Sequence, residues 1–533
     1  MSISRSAISL ETILRALIPF MVLVMSGCQA PQKVSEAPSY METYRPQFHF
    51  TPQKNWMNDP NGPVYLDGEY HLFYQYNPFG DKWGHMSWGH AVSTDLVHWQ
   101  HLPVALSEED GIMIFSGSAV VDEKNTSGFG QNGKPAMVAI YTGYRPADKM
   151  QAQYIAFSTD RGRSWTKYSG NPVIDIKSTE FRDPKVFWYE PTKRWIMVVA
   201  LSAEHKLRFY SSPDLKQWTP LSEFGPAGAT GGVWECPDLF ELPVDGDPAH
   251  TRWVLIVNMN PGGVAGGSGA QYFIGSFDGT RFQPESKDQT RWVDYGKDFY
   301  AVTSWSNTPR DDGRRLWIGW MNNWQYGQEI PTSPWRSAQT IPRAVALKTY
   351  KDGIHLSQMP IAELQRLRGA NYQLSDKVVA EGSDPLAGQA VAGKTLEVIA
   401  TFEMDTASEF GLKVRKGANE ETVIGYDVST AQLFIDRSKS GQVDFNPQFP
   451  GRHSGPLPDE QRRIKLHLFV DWSSVEVFGN DGRAVITDRI FPSNDSDGVA
   501  LYAKGGAVKL VSLDIWPLQS IWTTADSAAA TRR

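Results

Sequence analysis

Three acidic residues stand just before prolines: Asp59 in WMNDPNG (56–62), Asp183 in FRDPK (181–185) and Glu235 in VWECPD (233–238). Each opens a strand–turn–strand stretch, Pro63–Pro78, Pro184–Leu201 and Pro237–Asn260, with turns near Asp67-Gly68, Glu190-Pro191 and Asp245–Pro248. Read as three copies of one unit, the acids hold the same place in each copy. Repeated sheet units arranged around an axis bring equivalent positions together, so three carboxyl groups are expected in one cleft. Nucleophilic and acid–base carboxylate chemistry requires that arrangement, and the pattern therefore points to an enzyme. Taken alone, Asn58–Gly62 is equally a turn, because Asn, Asp, Pro and Gly are the favoured turn residues.

The elements that must position these acids read as strands. Short apolar or alternating runs recur at 70–74, 137–141, 195–201, 253–257 and 316–320, and 46 Gly and 34 Pro break up any long amphipathic helix. A second repeat runs in phase with the first. Ser93-Thr94-Asp95 leads to Trp99, Ser158-Thr159-Asp160 to Trp165, Ser211–Asp214 to Trp218, and Ser276-Phe277-Asp278 to Phe282. Each alone is a β-turn beside a buried aromatic; four in series predict the blades of a propeller. Blade two begins at Phe115-Ser116-Gly117-Ser118, where serine replaces the acid, and blade five near Thr303-Ser304-Trp305. Pro360–Arg368 followed by Gly369 is the best short helix and a connector. Beyond it Leu396–Phe402, the alternating Ile464–Val470 and Val475–Phe478 before Gly-Asn-Asp-Gly read as a β-sandwich. The expected fold is all-β: a five-bladed β-propeller over 44–358, a linker over 359–375, a β-sandwich over 376–520 and a disordered tail over 521–533.

At 533 residues two domains are expected. The 52 basic and 59 acidic residues give a net charge of −7 without a long basic run, which argues against nucleic acid as a partner. The 19 Trp favour a carbohydrate instead, because sugar faces stack on aromatic rings. The first 27 residues read as an export signal: Arg5 and Arg15 flank the charged region, and Leu17–Met25 is too short to span a bilayer. Ser26-Gly27-Cys28 resembles a bacterial lipoprotein processing site, with Cys28 acylated, residues 28–43 a tether, and the protein held at the cell envelope, on the outer membrane or periplasmic face. The lipid on Cys28 is then the only expected contact with a membrane. Cys236 alone remains, so no disulfide framework is expected.

The longer string His49-x2-Pro52-x4-Met57-Asn58-Asp59-Pro60-Asn61-Gly62 resembles the signature of the β-fructosidases, glycoside hydrolase family 32. Arg182-Asp183-Pro184 and Glu235-Cys236-Pro237 resemble that family's second and third motifs, in order. The likeness continues through 73–78, 115–118, Asp298-Phe299-Tyr300-Ala301 and Trp320–Tyr326, and ends with Val470–Gly482. Gly266–Gly269 before Tyr272–Gly275, WMNNWQY and Pro334–Ser337 look most like exo-acting levanases and inulinases.

The resemblance implies a propeller followed by a sandwich, and it implies roles. Asp59 is the nucleophile, Glu235 the general acid and then base, and Asp183 the transition-state stabiliser, with Arg182 orienting it and binding sugar hydroxyls. Retaining glycosidases hold the first two carboxyls about 5–5.5 Å apart. That proximity is expected to keep a proton on Glu235 while Asp59 is ionised. Asn58, Gln75 and Ser116 are expected to bond the fructosyl unit, and Trp83, Phe115 and Trp324 to wall the pocket. Asp298 is a further pocket candidate, and Cys236 a buried thiol beside the acids. Gly262–Gly269 lacks the lysine and hydroxyl residue of a phosphate loop and reads as a loop near the cleft. No histidine spacing suits a metal, so neither metal nor other cofactor is expected. The implied activity is exo-hydrolysis of levan or inulin, and of sucrose. An endo-fructanase or a fructosyltransferase on the same scaffold is the alternative. A glycan-binding lipoprotein without catalysis is the remote one, since all three acids are intact.

Overall fold

The structure, a computed structural model, describes residues 40–522 apart from residue 310. The expected signal segment, Cys28 and most of the tether lie outside the described residues, as do 523–533. Regular structure across the described residues is strand, with short 3-10 turns at Ser202–Glu204 and Ala362–Leu367. The second of these is the expected connector, one tight turn rather than an α-helix.

Five antiparallel units follow one another. Blade 1 is built from Asn55–Leu66, Glu69–Tyr76, Ser87–Ser93 and Gln100–Leu106, and blade 2 from Met113–Asp122, Ala136–Arg145, Met150–Ser158 and Thr166–Lys167. Blade 3 comprises Phe181–Tyr189, Arg194–Leu201, Lys206–Ser212 and Thr219–Phe224; blade 4 comprises Val233–Val244, Asp247–Asn260, Gly269–Phe277 and Phe282–Pro284. Blade 5 comprises Tyr300–Ser304, Arg315–Trp320, Arg343–Tyr350 and Gly353–Pro360. Burial falls from the first strand of a blade to its last: Asn55–Leu66 is buried almost throughout, whereas Gln100–Leu106 is largely open. The first strands therefore line the axis of a propeller. The ring closes where Trp335–Arg336, from blade 5, pairs in parallel with Asn55 and Trp56.

The Ser-x-Asp repeat is the turn that ends the third strand of blades 1 to 4. The Ser93, Ser158 and Ser212 hydroxyls each donate to the aspartate two residues on, at 3.1, 2.7 and 3.2 Å. The residue after each aspartate, Leu96, Arg161, Leu215 or Gly279, turns the chain with a positive φ. The four turns are one local solution used four times.

After the connector, Tyr372–Ala380 already belongs to the sandwich, paired along its length with Ala507–Pro517. Six strands face five, and Val398, Phe402, Phe410, Leu412, Leu466, Leu468 and Val477 fill the space between them. Ile464, Leu466 and Leu468 are buried while Lys465 and His467 are half-exposed, the alternation expected of a one-sided sheet. Both ends of the described chain are more ordered than the sequence suggests. Tyr40 stacks on Trp522 with ring centroids 4.0 Å apart, and Ile521 is buried. The apolar area of these rings outweighs the polar residues around them in sequence.

Propeller and sandwich meet through buried charge. The His49 ring lies between Asp471 (2.7 Å) and Glu476 (2.9 Å), and Arg343 reaches Glu476 and Asp294. Burial works against a charge on His49, but the two carboxylates hold its pKa above the ordinary value. Asp298 belongs to this interface and not to the pocket, which corrects the sequence expectation. It is fully buried, pairs with Arg437, and accepts from the Tyr326 hydroxyl (2.7 Å) and the Arg489 amide (2.8 Å). Arg437 lies far along the chain on a sandwich strand, so no local pattern could reveal it. Asp298→Ala removes the nearer carboxylate of the buried Arg437, leaving Asp488 at 3.8 Å, and should cost about 3–5 kcal/mol in urea unfolding with KM unchanged in the folded fraction. A raised KM at unchanged stability would return Asp298 to the pocket.

Candidate active site

Each inner strand carries a β-bulge, one residue more than its partner strand. These lie between Ile114 and Gly117, Arg182 and Lys185, Glu235 and Asp238, and Tyr300 and Thr303; blade 1 has two, at Met57/Pro60 and Asn61/Val64. In four blades the first inserted residue has a positive φ: Gly62 (48°), Asp183 (67°), Cys236 (43°) and Ala301 (52°). Asn61-Gly62-Pro63, Arg182-Asp183-Pro184 and Glu235-Cys236-Pro237 are thus the equivalent triplets. At Gly62 a Cβ would lie 3.0 Å from that of Ala119 and 3.1 Å from the Trp88 ring, so a side chain has no room there.

The three acids therefore do not share one repeat position, contrary to the sequence reading. Glu235 is equivalent to Arg182 and Tyr300, Asp183 to Cys236, and Asp59 rises from the additional bulge of blade 1. Bulges aim side chains off the regular alternation, and the offsets bring the acids to one place. Asp59, Asp183 and Glu235 line a single cavity of about 440 Å³ together with Asn58, Gln75, Trp83, Phe115, Ser116, Arg182 and Trp324. Every site residue expected from the sequence is there except Asp298.

Asp59 is held by neutral donors. The Ser116 hydroxyl donates to its Oδ2 at 2.6 Å and Asn58 Nδ2 to its Oδ1 at 3.1 Å. The Asn58 amide is in turn fixed by Trp56 Nε1 (2.7 Å). Burial, reinforced by the Glu235 charge, pushes the Asp59 carboxyl up to about 6 against the Ser116 hydrogen bond. Asp183 accepts from the Cys236 amide at 3.0 Å, and burial followed by the Glu235 charge raises it despite Arg182 nearby. The Cys236 thiol sits 3.6 Å from Asp59 and 3.5 Å from Asp183. Burial and then these carboxylates hold it well above the ordinary thiol value, so it is a packed neutral group.

Glu235 is gripped by its equivalents in the flanking blades. Arg182 Nε donates to its Oε1 at 3.0 Å, and the Tyr300 hydroxyl to its Oε2. Arg182 also binds Glu180 (2.6 Å) and Gln151 (3.3 Å). Burial opposes its charge, but Glu235, Asp183 and Glu180 raise its pKa well above the ordinary value. The carboxyls raised by burial are Asp59 and Asp183, and the guanidinium rests on Glu235.

Gln75 lines the cavity and donates to the Ile114 carbonyl (3.0 Å), which leaves its amide oxygen free to accept. Trp83 is partly exposed at the rim and packs edge-on against Phe115, itself stacked on Tyr144 at 4.5 Å. Trp324 packs on Trp56 and Trp320, and its amide donates to Ser268 of the glycine-rich loop, which thus supports the cavity wall. Sequence reasoning missed Tyr300, Tyr144, Gln151, Glu180 and Gln328. Tyr300 was within reach, two residues after Asp298 in the same string, but only the bulge register identifies it as the counterpart of Glu235.

The family model described as "Glycosyl hydrolases family 32 N-terminal domain" matches residues 49–360, and "Glycosyl hydrolases family 32 C terminal" matches 363–517. The chain is 52% identical over 521 residues to a levanase of Bacillus subtilis (strain 168), covering 96% of this chain and 76% of the relative. It is 45% identical over 525 residues to an extracellular exo-inulinase of Aspergillus niger, covering 92% of this chain and 97% of that one. A crystal structure of exo-inulinase from Aspergillus awamori superposes with a TM-score of 0.86 at 44% identity, covering 91% of this chain and all of that chain.

Proposed function

The chain belongs to glycosyl hydrolase family 32, and on that premise we propose that Asp59, Glu235 and Asp183 carry out exo-hydrolysis of terminal β-fructofuranosyl units from fructans and sucrose, with retention. The observation that carries this reading is the meeting of three carboxyls from three blades on one cavity with aromatic walls, two of them at burial-raised pKa. Asp59 Oδ attacks the anomeric carbon as the glycosidic bond breaks and Glu235 gives its proton to the leaving oxygen. In the second half Glu235 takes a proton from water, the water oxygen bonds to the anomeric carbon, and the ester to Asp59 is released. Two inversions amount to retention. Asp183 accepts from ring hydroxyls whose bonds tighten as positive charge grows on the ring.

Asp59 attacks only when ionised, so activity falls as pH drops through its raised value, and the acid limb of kcat/KM should lie near pH 6. Ser116 donates to the ionised form; Ser116→Ala should therefore move that limb upward by about one unit. A limb that stays where it is in the variant would separate it from Asp59.

The relatives, a levanase and an extracellular exo-inulinase, support levan and inulin as substrates and export from the cell. The Ser26-Gly27-Cys28 sequence supports a lipid anchor on Cys28 at the cell envelope. The function is tested by the product profile of a soluble form beginning after Cys28, given levan, inulin and sucrose separately. Fructose alone from the earliest times is the expected result, and the relative rates rank the linkages. Early oligosaccharides would make it an endo-fructanase, and glucose in excess of fructose from sucrose a transferase.

A further inference from the structure

The inner strands leave the active site and run on toward the opposite face of the propeller. Five residues of extended chain separate Asp183 from Trp188, about 17 Å. There a second cavity of about 350 Å³ opens, lined by residues of blades 2 to 5 and sharing none with the catalytic cavity. Between the two lies a space of only about 20 Å³, room for a water but not for a sugar ring. The two cavities are therefore separate sites.

We propose that this second cavity binds a neutral mono- or disaccharide. Trp188, Trp195 and Trp253 supply aromatic surface, the first and last half-exposed. Three bases, Lys124, Lys185 and Arg315, and three acids, Glu123, Asp238 and Glu241, line the same space. The opposed charges favour neither an anion nor a cation, yet they offer donors and acceptors together, which is what a polyhydroxyl ligand takes.

Two of these groups have capacity left. Arg315 makes one long hydrogen bond, Nη1 to the Trp305 carbonyl at 3.3 Å, and lies over the Phe240 ring with no carboxylate in ion-pair reach among the described residues. Asp238 is 1% exposed; its Oδ2 binds Lys185 Nζ (3.1 Å) and the Ser304 amide (2.7 Å), while its Oδ1 meets no donor. The Lys185–Asp238 pair, further tied to the Ser304 carbonyl (2.7 Å) and the Thr303 hydroxyl (3.2 Å), is a polar floor that joins three blades. The site is chemically ready for hydroxyls, and nothing in the hydrolytic reading uses it.

The test uses the full mature chain carrying Glu235→Gln, so that sucrose binds without being consumed, in calorimetry and in crystals grown with sucrose. Two equivalents are expected, one in the cleft and one below Trp188. Trp188→Ala in that background should remove one equivalent. Ser306→Trp, which fills the cavity from its half-exposed rim without cutting the core, should do the same. Sucrose confined to the cleft, with stoichiometry one and unaffected by either change, overturns the proposal. Sulfate displacing sugar from the lower cavity overturns it too, since it would make the site an anion site. A cleft left empty while the lower cavity fills would count against the catalytic reading instead, so the two failures are distinguishable.

Discussion

Asp59→Asn should lower kcat on sucrose and on levan by about 10⁴-fold or more, because Asn cannot form the covalent ester and Asp183 and Glu235 serve the other two roles. The loss should appear in kcat and not in KM, since Asn keeps the shape and both neighbouring donors. The same variant carries an independent physical signature. Burial raises Asp59 in the folded state to about 6 from an ordinary 3.8. A folded pKa above the unfolded one means that the folded state binds the extra proton between those values. Stability is thus lost as pH rises from near 4 toward 6, by about 3 kcal/mol once Asp59 is fully ionised. Asp59→Asn has no such proton to lose, so it should melt higher than the parent above pH 6 and equally near pH 4. Residual turnover above about 1% would remove Asp59 from the nucleophile's place. Lower stability at pH 7 would mean that its hydrogen bonds to Ser116 and Asn58 outweigh its desolvation.

Glu235→Ala should slow sucrose hydrolysis by about 10³-fold, within the usual reach of a general acid–base group. It also vacates space beside the anomeric carbon and frees Arg182 and Tyr300, the two donors that hold Glu235. Azide can enter next to Arg182 and needs no base. With a fructoside bearing a good leaving group, azide should restore turnover and yield β-fructosyl azide, the retained configuration. An α-azide would mean that Glu235 had been the nucleophile and would exchange the two roles. Absence of any azide product with an active leaving group would remove the fructosyl–enzyme intermediate altogether. Arg182 is the complicating neighbour: without Glu235 its guanidinium still contacts Glu180, so it should stay in place.

The resemblance carried by 49–62, 182–184 and 235–237 is legible in the order of residues alone, and so are ten of the eleven residues expected at the site. Their types and flanking prolines are local facts. The exception is Asp298, and its reason can be named. An acid in a motif string looks catalytic, but its partners Arg437 and Arg489 come from strands of the other domain. His49 shows the opposite case. It belongs to the first motif, yet its ring binds Asp471 and Glu476 and serves the joint between the domains.

By itself the sequence determined the kind of architecture and the chemistry available to it. Two-residue alternation, turn residues at regular intervals and the Ser-x-Asp turns are short-range signals, and each blade repeats them within one stretch of chain. Tertiary structure alone decided which residues face which. The three acids look equivalent in sequence, but across equivalent bulges Glu235 holds the position before the insertion and Asp183 the first inserted one, while Asp59 lies in a second bulge of blade 1. A one-residue slip sends a side chain to the other face of its strand. No local pattern records where such slips fall, because they are settled by packing around the axis, where Arg182 and Tyr300 close on Glu235 from either side.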